Sequence, residues 1–172
     1  MCRRHGWVGG VSEPPVDLEF HDYDTRLAAY AVVVDEGRIL LAWWNGEGHS
    51  EPAWTLPGGG VDLPETADEG AIREVLEETG LDVELTGLLV VDSHIRSPDR
   101  RRLETDRWVR FMRIVYSARV VGGELGTLEV DGSTDHAAWV ALDSVPDLSR
   151  TPLVDIGVAA WTSERAAARR PS

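Results

Sequence analysis

The sequence contains no lysine; all 17 of its basic residues are arginine. That absence excludes a P-loop phosphate lysine, a Schiff-base lysine and a lysine general base. Cysteine is almost missing as well. Cys2 stands alone, so neither an intrachain disulfide nor a thiolate zinc cluster can form, and a reducing compartment, the cytoplasm, is expected. No apolar run approaches the roughly 18 residues of a membrane span. Met1 to Val11 carries Arg3 and Arg4 without an apolar stretch, so no signal peptide and no membrane association are expected. Positive charge is scarce relative to negative: 30 acidic residues give a formal net charge of -13. Nucleic-acid polymers and anionic membranes are therefore disfavoured partners, and any phosphate ligand needs local positive charge.

What is present is ordinary for one folded domain. The 172 residues are 42% hydrophobic and 27% charged, enough to bury a core. Residues 1–25, with Pro14 and Pro15 among acids, read as an N-terminal arm; residues 26–168 as the domain; residues 169–172 as a fraying tail. Leu27 to Val34 and Ile39 to Trp44, separated at Gly37, predict a buried hairpin. Trp54 to Leu56 predicts a short strand and Pro57 to Gly60 a loop that admits close backbone approach. Pro64 and Glu65 open a helical pattern that Gly80 closes. Val83 to Val91, Trp108 to Val121 and Ala137 to Leu142 predict further strands, and Thr151 to Ala168 a closing helix. Without a regular βαβ period the expected class is α/β (α+β), a mixed sheet with helices on both faces.

On the first helix, at about 100° per residue, Glu74, Glu77 and Glu78 share an arc of about 100°. Ile72, Val75, Leu76 and Thr79 form the opposite stripe, which is expected to bury while the acids face solvent. Like charges so close call for a compensating cation, and hard oxygen ligands select Mg2+ or Mn2+. Taken alone, such an arc is more often a solvated acidic face.

The surrounding pattern decides otherwise. Five residues separate Gly59 from Glu65 and seven more lead to Arg73-Glu74; Val75, Leu76, Glu77-Glu78, Thr79, Gly80 and Leu81 follow. This stretch resembles the Nudix box at all nine of its defined positions over 23 residues. The resemblance implies the Nudix fold, a mixed β-sheet between helices. It also implies metal-dependent hydrolysis of a pyrophosphate bond in a nucleoside diphosphate linked to another moiety, such as ADP-ribose, a nucleotide sugar, a dinucleotide or a nucleoside triphosphate. It assigns Glu74, Glu77, Glu78 and the Gly59 carbonyl as metal ligands, and similar boxes suggest that Arg73 pairs with Glu77 or Glu65 to hold the carboxylates. Two magnesium ions against three carboxylates would make the pocket attractive to pyrophosphate.

Outside the box, similar proteins place a glutamate where this chain has His136, so the general base is open among Asp131, Asp135, His136 and Glu74. Seven arginines lie between Arg96 and Arg113; Arg96 and Arg100 are candidates for gripping a distal phosphate, as an alternative to a solvated loop. Trp43 and Trp44 are candidates for stacking on a base or ribose. The competing function is a Nudix-like ligand-sensing or protein-binding module without turnover, and either a monomer or a homodimer is compatible with the sequence.

Overall fold

The computed structural model describes residues 17–48, 50–101, 104–128 and 132–169. Among these described residues seven strands and two α-helices are formed: β1 (Asp24–Asp35), β2 (Arg38–Trp44), β3 (Ala53–Thr55), β4 (Gly58–Gly60), α1 (Ala67–Thr79), β5 (Leu81–Arg96), β6 (Val109–Gly123), β7 (Thr134–Ala141) and α2 (Pro152–Ala168). The strands join in the order β3-β2-β1-β6-β5, with β4 pairing β1 and β7 pairing β2. The ladders β1–β2, β1–β4, β2–β3 and β2–β7 are antiparallel, and an isolated parallel bridge links Trp54 to Arg150. The expected mixed α/β class holds.

The chain divides into two compact units, one of Met1–Arg26 with Ser93–Phe111, the other of Leu27–Asp92 with Met112–Ser172. In the larger unit, strand alternation sends side chains to two separate cores. Val32, Ile39 and Leu41 pack with Leu153 and Val154 of α2, whereas Ala31, Val33 and Leu40 pack with Val75 of α1. The sheet of this unit thus lies between α1 and α2. At about 25 cal/mol per Å² of apolar surface, these fully buried branched side chains contribute about 1.5–3 kcal/mol each.

The smaller unit is held by charge and stacking. Asp24 accepts from Arg101 Nη1 at 2.6 Å and Arg107 Nε at 2.7 Å, and Arg107 also donates to the carbonyl of His21 at 2.9 Å. The two guanidinium groups, Arg101 first, hold the Asp24 carboxyl below its ordinary range. His94 stacks on Phe111 with centroids 4.7 Å apart, and the guanidinium of Arg96 lies 5.0 Å from the same ring. Of the residues expected to form an N-terminal arm, 1–16 lie outside the described residues, and Asp24 already begins β1.

Several boundaries differ from the sequence expectation. Pro57 to Gly60 is not simply a loop, because Gly58–Gly60 pairs with Ala28–Tyr30 of β1. The helix begins at Ala67 rather than at Pro64: Thr66 is the N-cap in a capping box with Glu69, and Asp62 to Glu65 forms a turn closed by Glu65 N–H to Asp62 O at 3.0 Å. The C-terminal end at Gly80 matches. No helix among the described residues is long and apolar enough to cross a membrane.

Candidate active site

The site is assembled on the glycine strand. Gly58 adopts φ 136°, and a Cβ there would stand 2.3 Å from the Ala29 carbonyl oxygen, so only glycine lets β4 lie this close to β1. At Gly59 a Cβ would stand 2.6 Å from Glu74 Oε2, which shows that the Glu74 carboxylate rests against the glycine backbone. Gly58 N–H donates to Glu78 Oε2 at 2.8 Å. Both glutamates are thereby fastened to one three-residue strand.

Arg73 organises the remaining acids. Its Nε and Nη2 donate to Glu65 at 2.6 and 2.9 Å, its Nη1 to Glu74 at 2.9 Å and Glu77 at 3.0 Å, and its Nη2 also to the Gly60 carbonyl at 2.9 Å. A planar fork suits this arrangement, since lysine offers no second parallel donor pair. The Arg73 hydrogen bonds, followed by the Asp62 backbone N–H, hold the Glu65 carboxyl down at about 2. Glu65 in turn raises the affinity of the guanidinium for its proton.

The three acids of the box do not share one exposure. Side chains of Glu74 and Glu77 are 18% and 44% exposed, but Glu78 is only 5% exposed, which corrects the expectation that all three face solvent. The helical wheel places Glu78 away from the sheet core, yet β4 and β7 reach over that side: Gly58 and the Thr134 hydroxyl both donate to its carboxylate. Ile72, expected in the buried stripe with Val75 and Thr79, is instead 39% exposed. Segment 124–128 covers the end of α1, with Gly126 N–H on Thr79 O at 2.9 Å and Leu128 N–H on Glu77 O at 2.8 Å. No sequence signal marked Thr134 or this segment.

The candidates outside the box belong to several elements. His136 pairs across the ladder with Trp43, and its ring stacks on Trp43 and meets Trp54 edge-on, with centroids 6.0 and 5.2 Å apart. Trp54 packs on the α2-side core, so this aromatic row occupies the face of the sheet opposite α1. Neither His136 nor Trp43 is brought to the carboxylates. Alternation along β2 puts Trp44 on the α1 side, where its Nε1 donates to Glu47 at 3.4 Å. Asp135 accepts from Asn45 Nδ2 at 3.0 Å, and Asp131 lies outside the described residues. Arg96 and Arg100 belong to the smaller unit, with Arg96 on Phe111 and Arg100 in the 3₁₀ turn Pro98–Arg100.

A divalent ion fits this donor set. Glu74, Glu77 and Glu78 offer hard carboxylate oxygens beside the Gly59 backbone, with no sulfur or paired imidazole to favour a softer metal. Among the described residues no three acidic or imidazole groups already enclose one point, and the Arg73 guanidinium bridges Glu74 and Glu77 as the local cation.

Comparison with known proteins agrees with the geometry. The profile of the NUDIX domain matches residues 24–161. An 8-oxo-dGDP phosphatase of Homo sapiens is 34% identical over 144 residues, covering 83% of this chain and 39% of that protein. An ADP-ribose pyrophosphatase of Methanocaldococcus jannaschii is 36% identical over 96 residues, covering 56% of this chain and 50% of that protein. The chain thus spans half or less of the length of these two relatives. The solved structure of a NUDIX hydrolase from Nitrosomonas europaea shares the fold with a TM-score of 0.68 at 22% identity, over 82% of this chain and 90% of that one. With the box residues clustered on β4 and the profile spanning most of the sequence, the chain belongs to the NUDIX domain family.

Proposed function

We propose that this chain hydrolyses a pyrophosphate bond in a nucleoside diphosphate joined to a second group, with a divalent metal, Mg2+ or Mn2+, held by Glu74, Glu77, Glu78 and the Gly59 carbonyl. The observation that carries the reading is the fastening of Glu74, Glu78 and the Arg73 fork to the strand Gly58–Gly60, with Glu77 joined to Glu74 through the Nη1 of Arg73. Family members generally use divalent metal, and the relatives matched act on phosphoric anhydrides or nucleoside diphosphates by name.

A divalent cation bound there supplies charge neutralisation to the pyrophosphate oxygens and acidity to water. The chain's own residues do the rest. Arg73 holds Glu74 and Glu77 at fixed spacing through one nitrogen, and Glu65 fixes Arg73 by a two-point pair. Gly58 N–H orients Glu78. In this reading the proton released by the attacking water passes to a carboxylate of the box, with Glu74 central in the arc; His136 is stacked on Trp43 on the other face of the sheet. A small nucleotide is the partner, and no nucleic-acid polymer is required.

The test is turnover of ADP-ribose, nucleotide sugars, dinucleoside polyphosphates, and normal or 8-oxo nucleoside di- and triphosphates, each with Mg2+, followed by released monophosphate or phosphate. Hydrolysis of at least one, abolished by chelation, is expected. No turnover of any would favour the non-catalytic binding module.

A further inference from the structure

β2 and β7 pair residue for residue from Arg38 opposite Ala141 to Trp43 opposite His136, but the next pair is Trp44 opposite Thr134. Asp135 is therefore the extra residue of a β-bulge. Because side chains alternate with period 2, one inserted residue exchanges the faces of everything beyond it. In unbroken register Thr134 would share the α2 face with His136; after the bulge its hydroxyl reaches Glu78 on the α1 side. The bulge is pinned from β2's end. Asn45 Nδ2 donates to Asp135 Oδ1 at 3.0 Å and Gly132 O at 3.2 Å, and Asn45 N–H donates to Ser133 O at 2.9 Å.

The consequence falls on one carboxylate. Glu78 Oε1 accepts from Thr134 and Oε2 from Gly58 N–H, so one oxygen is fixed by β7 and the other by β4. Two donors from separate strands fix both the position and the plane of the group. Thr134 and Glu78 are both buried, which shields this contact from competing water.

We infer that Thr134 is a positioning residue, whose hydroxyl presets the Glu78 carboxylate for divalent-metal binding and is delivered to it by the Asp135 bulge that Asn45 pins. The inference rests on the hydrolase reading above for the identity of the ligand set. Groups that orient a ligating side chain typically change metal affinity by 10–100-fold when removed.

The test uses the full chain with Thr134→Val, Thr134→Ser and Asn45→Ala. Mn2+ binding without substrate is followed by electron paramagnetic resonance of the free ion, and hydrolysis is followed against Mg2+ concentration. Thr134→Val is expected to weaken Mn2+ binding about tenfold or more. It should raise the Mg2+ needed for half-maximal rate by a similar factor, with kcat at saturating Mg2+ little changed. Thr134→Ser should stay within about twofold of the parent, and Asn45→Ala should shift binding in the same direction as Thr134→Val. A Thr134→Val protein that loses thermal stability but keeps parental Mn2+ affinity would overturn the inference, as would an equal defect in Thr134→Ser. Should Thr134→Val not fold, unchanged Mn2+ affinity in Asn45→Ala overturns it. Absence of hydrolysis by the parent on every substrate removes the hydrolase reading alone, since the Mn2+ titration still judges Thr134. Absence of Mn2+ binding by the parent removes both.

Discussion

Arg73 and Glu65 form a two-point pair, Nε to Oε1 at 2.6 Å and Nη2 to Oε2 at 2.9 Å, eight residues apart in sequence. Glu65 lies in the turn preceding α1, so the pair ties that turn to the helix while leaving Nη1 to bridge Glu74 and Glu77. Arg73→Lys keeps one charge but loses the fork. Turnover is expected to fall about tenfold or more, and Tm to drop, with the Mg2+ requirement raised. Steady-state kinetics against Mg2+ and thermal melts check both; parental kinetics in Arg73→Lys would show that charge alone suffices.

The same pair gives a pH signature. The folded Glu65 carboxyl is held at about 2 against an ordinary value near 4.5, so its stabilising contribution is complete above 4.5 and is lost as pH falls from there towards 2. Asp24 behaves in the same direction in the smaller unit, through Arg101 and Arg107. The difference in Tm between the parent and Arg73→Ala is therefore expected to be greatest above pH 5 and to narrow below 4.5. A constant difference down to acid pH would assign the loss to packing rather than to the ion pair.

Glu77 and Glu78 separate chemistry from folding. Glu77→Gln and Glu78→Gln are each expected to lower turnover by about a hundredfold or more. A glutamine at 78 can still accept from Gly58 N–H through its oxygen and donate to Thr134 through its nitrogen, so its melting point should stay near the parent's. Glu78→Ala instead leaves the buried Gly58 N–H and Thr134 hydroxyl without this partner, at about 1–3 kcal/mol. Chemical denaturation of the pair Glu78→Gln and Glu78→Ala measures that difference.

The sequence made the helix end, the box spacing and the Arg73 pairing legible because each is local: Gly80 takes φ 70° as a C-terminal cap, and Arg73 reaches Glu77 one turn away. The start at Thr66 was also written locally, in Thr66 and Glu69, but Pro64 and Glu65 offered a competing first-turn pattern. Glu78 was misplaced for a different reason. A wheel marks one stripe as buried, whereas β4 and β7, strands of the sheet on which α1 packs, also send donors to Glu78 and bury it outside that stripe. The bulge at Asp135 depends on pairing between residues about 90 apart, and nothing local announces it.

His136 is placed by the fold against Trp43 and Trp54 on the face opposite α1. His136→Ala is therefore expected to keep kcat and the acid limb of the rate profile within about twofold, with a slightly lower Tm from the lost ring contacts. A rate lowered by about a hundredfold with unchanged metal binding would restore the histidine as the base.

Gly58 and Gly59 are adjacent but should respond differently to alanine. At Gly58 the new Cβ meets backbone, the Ala29 oxygen at 2.3 Å and Tyr30 Cα at 2.6 Å, and φ 136° is unfavourable for any L side chain. Neither strand can move without disturbing the sheet, so Gly58→Ala should destabilise by about 1–3 kcal/mol or more, through crowding and backbone strain together. At Gly59 the three atoms nearest the new Cβ all belong to the Glu74 carboxylate, the first at 2.6 Å, and φ there lies outside the glycine region. A side-chain tip can swing aside. Gly59→Ala is thus expected to keep Tm nearly unchanged while displacing Glu74 from the position Arg73 Nη1 holds, which lowers turnover about tenfold or more and raises the Mg2+ requirement. Melting curves and Mg2+-dependent kinetics on the two variants discriminate them. A Gly59→Ala protein that melts with Gly58→Ala, or that retains parental metal dependence, would mean that Glu74 is not fixed by its contact with the glycine strand.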